Sequence, residues 1–187
     1  TFKNTYRFYL GGEIAYPTQW IKPKLNISFE NLTRYIYFAE NGMPKQMDGN
    51  IQVLAANLQL NFTTPWVNLE NRIVYQHSSS DALPLPTLTM YNNLYYHGTW
   101  VKALDVQIGV DMRYFTEYYA PILNPTLGQF CVQSKEQVGN YPVMNVYANF
   151  YVKHIRLKLF AQYQHFNASF MSKQYYGMPG YPMAPDM

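Results

Sequence analysis

Apolar and polar positions alternate with period two along this chain in about eight separate runs, most regularly over residues 104–114. Leu104, Val106, Ile108, Val110, Met112 and Tyr114 alternate there with Asp105, Gln107, Gly109, Asp111 and Arg113. Successive side chains of a strand point to opposite sides of a sheet, so the run has one apolar face and one face carrying charges. Comparable β-rich runs fall near 5–16, 24–37, 50–62, 67–77, 86–96, 102–114, 142–152 and 155–165, and none shows helical periodicity. The pattern predicts an all-β, antiparallel fold forming one unit over residues 1–187. Two solvents fit such strands: the facing layers and bulk water of a soluble sandwich, or the lipid and wet lumen of an outer-membrane barrel.

The connections favour the barrel. Residues 17–23, 63–66, 97–101 and 153–154 make shorter links, while 38–49, 78–85, 115–141 and 166 onward make longer ones. An up-and-down barrel with tight periplasmic turns and long outer loops has this rhythm, and a Greek-key sandwich has no reason to sort loop length by side. If the short links are periplasmic, the first strand runs toward the periplasm and the eighth toward the exterior. That is the reverse of an even-stranded barrel with both termini inside. The expectation is therefore an open segment of about eight strands from a larger barrel, with 5–16 and 155–165 at its edges, rather than a closed eight-stranded barrel with both ends outside. At about 3.3 Å per residue, 104–114 extends roughly 33 Å. A tilt near 40° projects this to about 25 Å, the height of a barrel's apolar band. Trp100 before the band, and Tyr114, Phe115, Tyr118 and Tyr119 after it, read as two aromatic girdles; core and rim aromatics of a sandwich are the competing reading.

Composition sharpens the choice. Only 13% of the 187 residues are charged while 18% are aromatic, and tyrosine alone supplies 19. Tyrosine favours places where one end of the ring is dry and the other wet. No apolar stretch reaches the roughly 20 residues of a membrane-spanning helix, and the mild mean hydropathy of −0.28 is what alternating strands produce. A net charge of +3, with Arg7, Arg34, Arg72, Arg113 and Arg156 scattered, argues against a nucleic-acid partner.

The polar positions opposite the apolar ones are Gln52, Asn57, Gln59, Asn61, Glu70, Arg72, Gln76, Asp105, Gln107, Asp111, Arg113, Arg156, Lys158, Gln162 and Gln164. They are expected to line a lumen for small polar solutes, with a plugged, hydrogen-bonded interior as the alternative. Leu58, Leu60, Phe62, Leu104, Val106, Ile108, Val110, Met112, Ile155, Leu157 and Leu159 are expected to face lipid. Catalytic chemistry is poorly supported. His77 to Asp81 spells His-Ser-Ser-Ser-Asp, but neighbours in a loop have no reason to converge as a triad. His97, His154 and His165 lack paired ligands at metal spacing. Asp105 and Asp111 sit about 20 Å apart on one strand, too far to act on one bond. The lone Cys131 cannot form an internal disulfide. The Asn-x-Ser/Thr sites at Asn26, Asn31, Asn61 and Asn167 read as chance, three of them lying inside strands. No enzyme activity, cofactor or metal is expected.

Several stretches are more particular than alternation requires: RYIYFAENGMPKQMDGNIQV, YQHSSSDALPLPTLTMYNNLYY, LDVQIGVDMRYFTEYYAPILNPTLGQF, VGNYPVMNVYAN and YYGMPGYPM. In this order they resemble the C-terminal half of the putative porin family of Bacteroidetes outer membranes. The resemblance implies an outer-membrane β-barrel serving as a channel, in proteins several times longer than this chain. It also implies one more aromatic-rich strand after the last of these stretches, whereas the sequence stops at Met187. The expected partners are outer-membrane lipid and lipopolysaccharide, together with other outer-membrane proteins if the barrel works within a complex. The function expected is a diffusion channel. The alternatives are a non-conducting structural subunit of a larger outer-membrane complex and a secreted β-sandwich that binds glycans through its tyrosines.

Overall fold

A computed structural model describes residues 1–170, 176–179 and 181–182. The strands are β1 (Tyr6–Ala15), β2 (Ile21–Thr33), β3 (Ile36–Phe38), β4 (Pro44–Gln46), β5 (Asn50–Thr63), β6 (Val67–Ser78), β7 (Leu88–Trp100), β8 (Leu104–Phe115), β9 (Ile122–Asn124), β10 (Gln129–Cys131), β11 (Val143–Val152), β12 (Leu157–Tyr163), β13 (Tyr176–Met178) and β14 (Tyr181–Pro182). A short 3₁₀ helix covers Phe166–Phe170. Eight of the strands form one wall in the order β1-β2-β5-β6-β7-β8-β11-β12, every neighbour antiparallel. Its edges are β1 and β12, which do not pair with each other among the described residues.

Each predicted run becomes one wall strand, with corrected ends. The run 24–37 splits: β2 starts at Ile21 and stops at Thr33, because Arg34 turns into the left-handed region (φ 57°), and Ile36–Phe38 joins a different sheet. β7 continues to Trp100, so its turn to β8 shrinks to 101–103. β12 begins only at Leu157. Ile155 and Arg156 therefore lie in the turn 153–156, Arg156 with φ 53°, and not on the wall as expected. Gln164 likewise follows the last residue of β12.

The alternation of short and long connections holds. Links 16–20, 64–66, 101–103 and 153–156 gather at one end of the wall, and 34–49, 79–87 and 116–142 at the other. A cross-strand row runs Ile21, Phe62, Leu69, Leu94, Val110, Val146, Tyr163. It starts at the short-turn end of β2 and finishes at the loop end of β12, the stagger that tilted barrel strands require.

The long connections carry structure that periodicity does not announce. Segments β3 and β4 from one connection and β9 and β10 from another form a second sheet, β4-β3-β10-β9, with β10 parallel to β3 at Cys131 and Phe38. Lys135 reaches Glu40 at 2.6 Å across the two connections. Ala39, Ala120, Cys131 and Val138 are buried within this cap.

Candidate functional site

Cross-strand partners share a face, so the register assigns every wall side chain to one of two surfaces. Leu58, Leu60, Phe62, Val106, Ile108, Val110, Met112, Leu104, Leu157 and Leu159 fall together on one face, with Leu25, Ile73, Met90, Leu94 and Phe150. Many of the exposed large apolar residues lie there, including Leu10, Ile27, Leu54, Leu94, Ile108 and Leu159. Asn57, Gln59, Asn61, Glu70, Arg72, Gln76, Asp105, Gln107, Asp111, Arg113, Lys158 and Gln162 fall on the other face. Gln52 is a correction: it pairs with Asn31 and shares the face of Leu54 and Leu58, since an even separation keeps a side chain on the same side of a strand. The apolar face is also interrupted by Asn71 and Asn92, which are direct cross-strand partners.

The girdle assignment changes as well. Tyr114 lies on the apolar face, but Phe115, one residue on, points to the polar one. Phe115 packs edge-on against Tyr118 at 5.9 Å, and Tyr118 bridges to Val138 within the cap, with Tyr119 beside it. At the opposite end, Trp20, Trp66 and Trp100, the chain's three tryptophans, all stand exposed beside short turns.

On the polar face the side chains are joined into a network. Asn149 Nδ2 donates to Gln107 Oε1 (3.1 Å), Gln107 Nε2 to the Tyr147 hydroxyl (3.5 Å), and that hydroxyl to Asn93 Oδ1 (2.9 Å). Asn93 and Tyr95 then donate to the two oxygens of Glu70, at 3.4 and 3.2 Å. Asn145 donates to Asp111 at 2.8 Å, and the backbone N–H of His165 donates to Asn145 at 2.9 Å. Ion pairs flank the network: Arg7 with Glu30, Lys24 with Glu13, and Lys153 with Asp105. A hollow of about 340 Å³ opens beside β8, β11 and β12, lined by His97, Asp105, Gln107, Asn149, Lys158 and Phe160 among others. Asn93, Tyr95, Asn145, Tyr147 and Asn149 belong to the network although none is among the expected lumen positions; their parity against Leu94 and Val146 is the signal that places them.

This arrangement lines one side of the sheet with hydrogen-bonded amides, phenols and carboxylates. The Ser78–Asp81 stretch holds its own turn, with Ser78 Oγ donating to the Ser80 carbonyl and Ser79 Oγ accepting from the Gln52 N–H. His77 lies on the face opposite Ser78.

The family described as "Putative porin" matches residues 1–187, the entire chain. No curated protein matches it. Among solved structures the chain is similar to the FrpB iron transporter from Neisseria meningitidis (F3-3 variant), at 12% identity with a TM-score of 0.64. That likeness covers 94% of this chain and 28% of the transporter's, and at this identity it concerns the fold alone. The staggered antiparallel wall, similar in fold to part of that transporter, is matched from end to end by one family, and the chain belongs to that "Putative porin" family of bacterial outer-membrane β-barrels.

Proposed function

We propose that the wall forms part of a channel through which small polar solutes cross the outer membrane by passive diffusion, its apolar face against lipid and its polar face against the lumen. The observation that carries this reading is the continuity of the two surfaces over all eight strands. Acids, bases and amides recur on one side, and aliphatic and aromatic residues on the other. A soluble sandwich would cover its apolar face with a second layer, whereas Leu10, Leu94 and Phe62 stay open here. The chain takes no chemical step of its own in this reading. The stretches that resemble Bacteroidetes proteins support a source in that group.

A second reading has one observation in its favour. Asn71 and Asn92 place adjacent amides in the middle of the apolar face; Asn71 Nδ2 donates to the Leu60 carbonyl at 3.1 Å, but hydrocarbon offers the remaining amide groups nothing, which suits a barrel seated against another protein in a larger complex. Planar-bilayer recording on the intact protein separates the two. Stepwise ohmic conductance is the result expected of a channel, and silent insertion would favour the structural subunit.

A further inference from the structure

The polar face carries charges of both signs, but they are not equally available. Each of its five carboxylates is engaged. Glu13 and Glu30 pair with Lys24 and Arg7, and Asp105 pairs with Lys153. Glu70 accepts from Asn93 and Tyr95, and Asp111, itself buried, accepts from Asn145. The remaining cations of that face, Lys22, Arg72, Arg113 and Lys158, are exposed and have no carboxylate within 4 Å among the described residues.

Two of these cations lie in one row. The register sets Arg72 opposite Tyr91, and Tyr91 opposite Arg113, on three adjacent strands. The Arg113 guanidinium lies 5.9 Å from the Tyr91 ring centroid. Adjacent strands are about 4.8 Å apart, so the two arginine backbones stand roughly 10 Å apart with a phenol between them. Glu70 and Asp111 sit two residues along the same strands and face, held by the Asn93 and Asn145 amides and the Tyr95 hydroxyl.

We infer that Arg72, Tyr91 and Arg113 form a station for an oxyanion group, so that the solutes favoured by this wall carry a carboxylate, phosphate or sulfate. Two guanidinium forks match such oxygens bidentately, and an aromatic hydroxyl between them supplies a further donor. Glu70 and Asp111 keep their negative charge, because the groups that hold them are neutral, so the pull on an anion comes from the two guanidiniums of this row rather than from the lumen as a whole. The outer connections bear acids of their own, Asp48, Asp81, Glu117 and Glu136, so the test has to address this row directly.

The inference rests on the polar face being the lumen. In planar bilayers under a tenfold KCl gradient, R72Q/R113Q in the intact protein is expected to move the reversal potential toward cation selectivity. It is also expected to raise at least tenfold the inorganic phosphate needed to reduce chloride current. R72K/R113K, which keeps the charge and loses the forks, is expected to retain the selectivity and lose the phosphate effect. Conductance in which neither quantity responds to R72Q/R113Q would overturn the station and leave the channel standing. If no current flows, the channel reading fails by itself, and phosphate binding to the detergent-solubilised protein, followed by tyrosine fluorescence, decides the station: tenfold weaker binding in R72Q/R113Q upholds it, and equal binding overturns it.

Discussion

Gly109 shows how closely single residues are set in this wall. It lies on the polar face, and a methyl group there would come within 2.6 Å of the Tyr147 hydroxyl and 2.8 Å of Tyr95 Cβ. The ring can shift but the Cβ cannot, so Gly109→Ala is expected to cost about 1–3 kcal/mol and to pull Tyr147 away from Asn93. Gly12, with nothing within 4 Å of such a methyl, is the control, and Gly12→Ala is expected to change stability by less than about 0.5 kcal/mol. Urea midpoints in lipid vesicles measure both, and equal costs would show that the tyrosine does not lie over Gly109. The face assignment makes a sharper claim on the same strand. Ile108→Arg or Val110→Arg is expected to cost about 2–4 kcal/mol by putting a cation against hydrocarbon. Gln107→Arg is expected to cost far less. Similar losses at all three positions in a vesicle refolding assay would refute the two-solvent wall.

Turns and cap set the limits of the elements. The turn from β7 to β8 places Val101 (φ 49°) and Lys102 (φ 57°) in the left-handed region, which a β-branched residue such as valine rarely adopts. Val101→Asn, whose side chain tolerates that conformation, is expected to stabilise the hairpin by about 1 kcal/mol, read as a higher urea midpoint. A lower midpoint would mean the turn is not strained. In the cap, burial pushes the Tyr118 phenol above its ordinary range, so the folded cap holds the proton more tightly than the unfolded chain. Its contribution is complete below the ordinary tyrosine value of about 10 and is lost as pH rises toward the raised one. Amide protection at Val138, whose N–H bonds to the Tyr118 carbonyl, is expected to fall across that alkaline window in the native protein. Tyr118→Phe is expected to remove the pH dependence.

For the whole molecule, the open edges are the decisive feature. β1 and β12 each present a row of backbone groups without ladder partners in this sheet, and hydrocarbon offers them none. In the intact protein in membranes, the outward amides of both strands are therefore expected to exchange as slowly as those of β7. Fast exchange at either strand would mean that no strand covers that edge. The sequence alone determined the eight strands, their antiparallel order and the sorting of short from long connections. Period two and turn length are local properties, readable from neighbours along the chain. It also contained the parity of Gln52, Phe115 and Tyr147, although polarity by residue type obscured it. Tertiary structure decided what parity cannot. Strand ends moved at Arg34 and Arg156 because backbone conformation there breaks the ladder. The cap joins Phe38 to Cys131, and the network joins Glu70 to Tyr147 through Asn93, because pairing between distant segments depends on register and tilt rather than on either segment's own sequence. The Arg72–Tyr91–Arg113 row exists for the same reason: three residues from three runs, each ordinary in its own run, become a site only when the strands are hydrogen-bonded in this alignment.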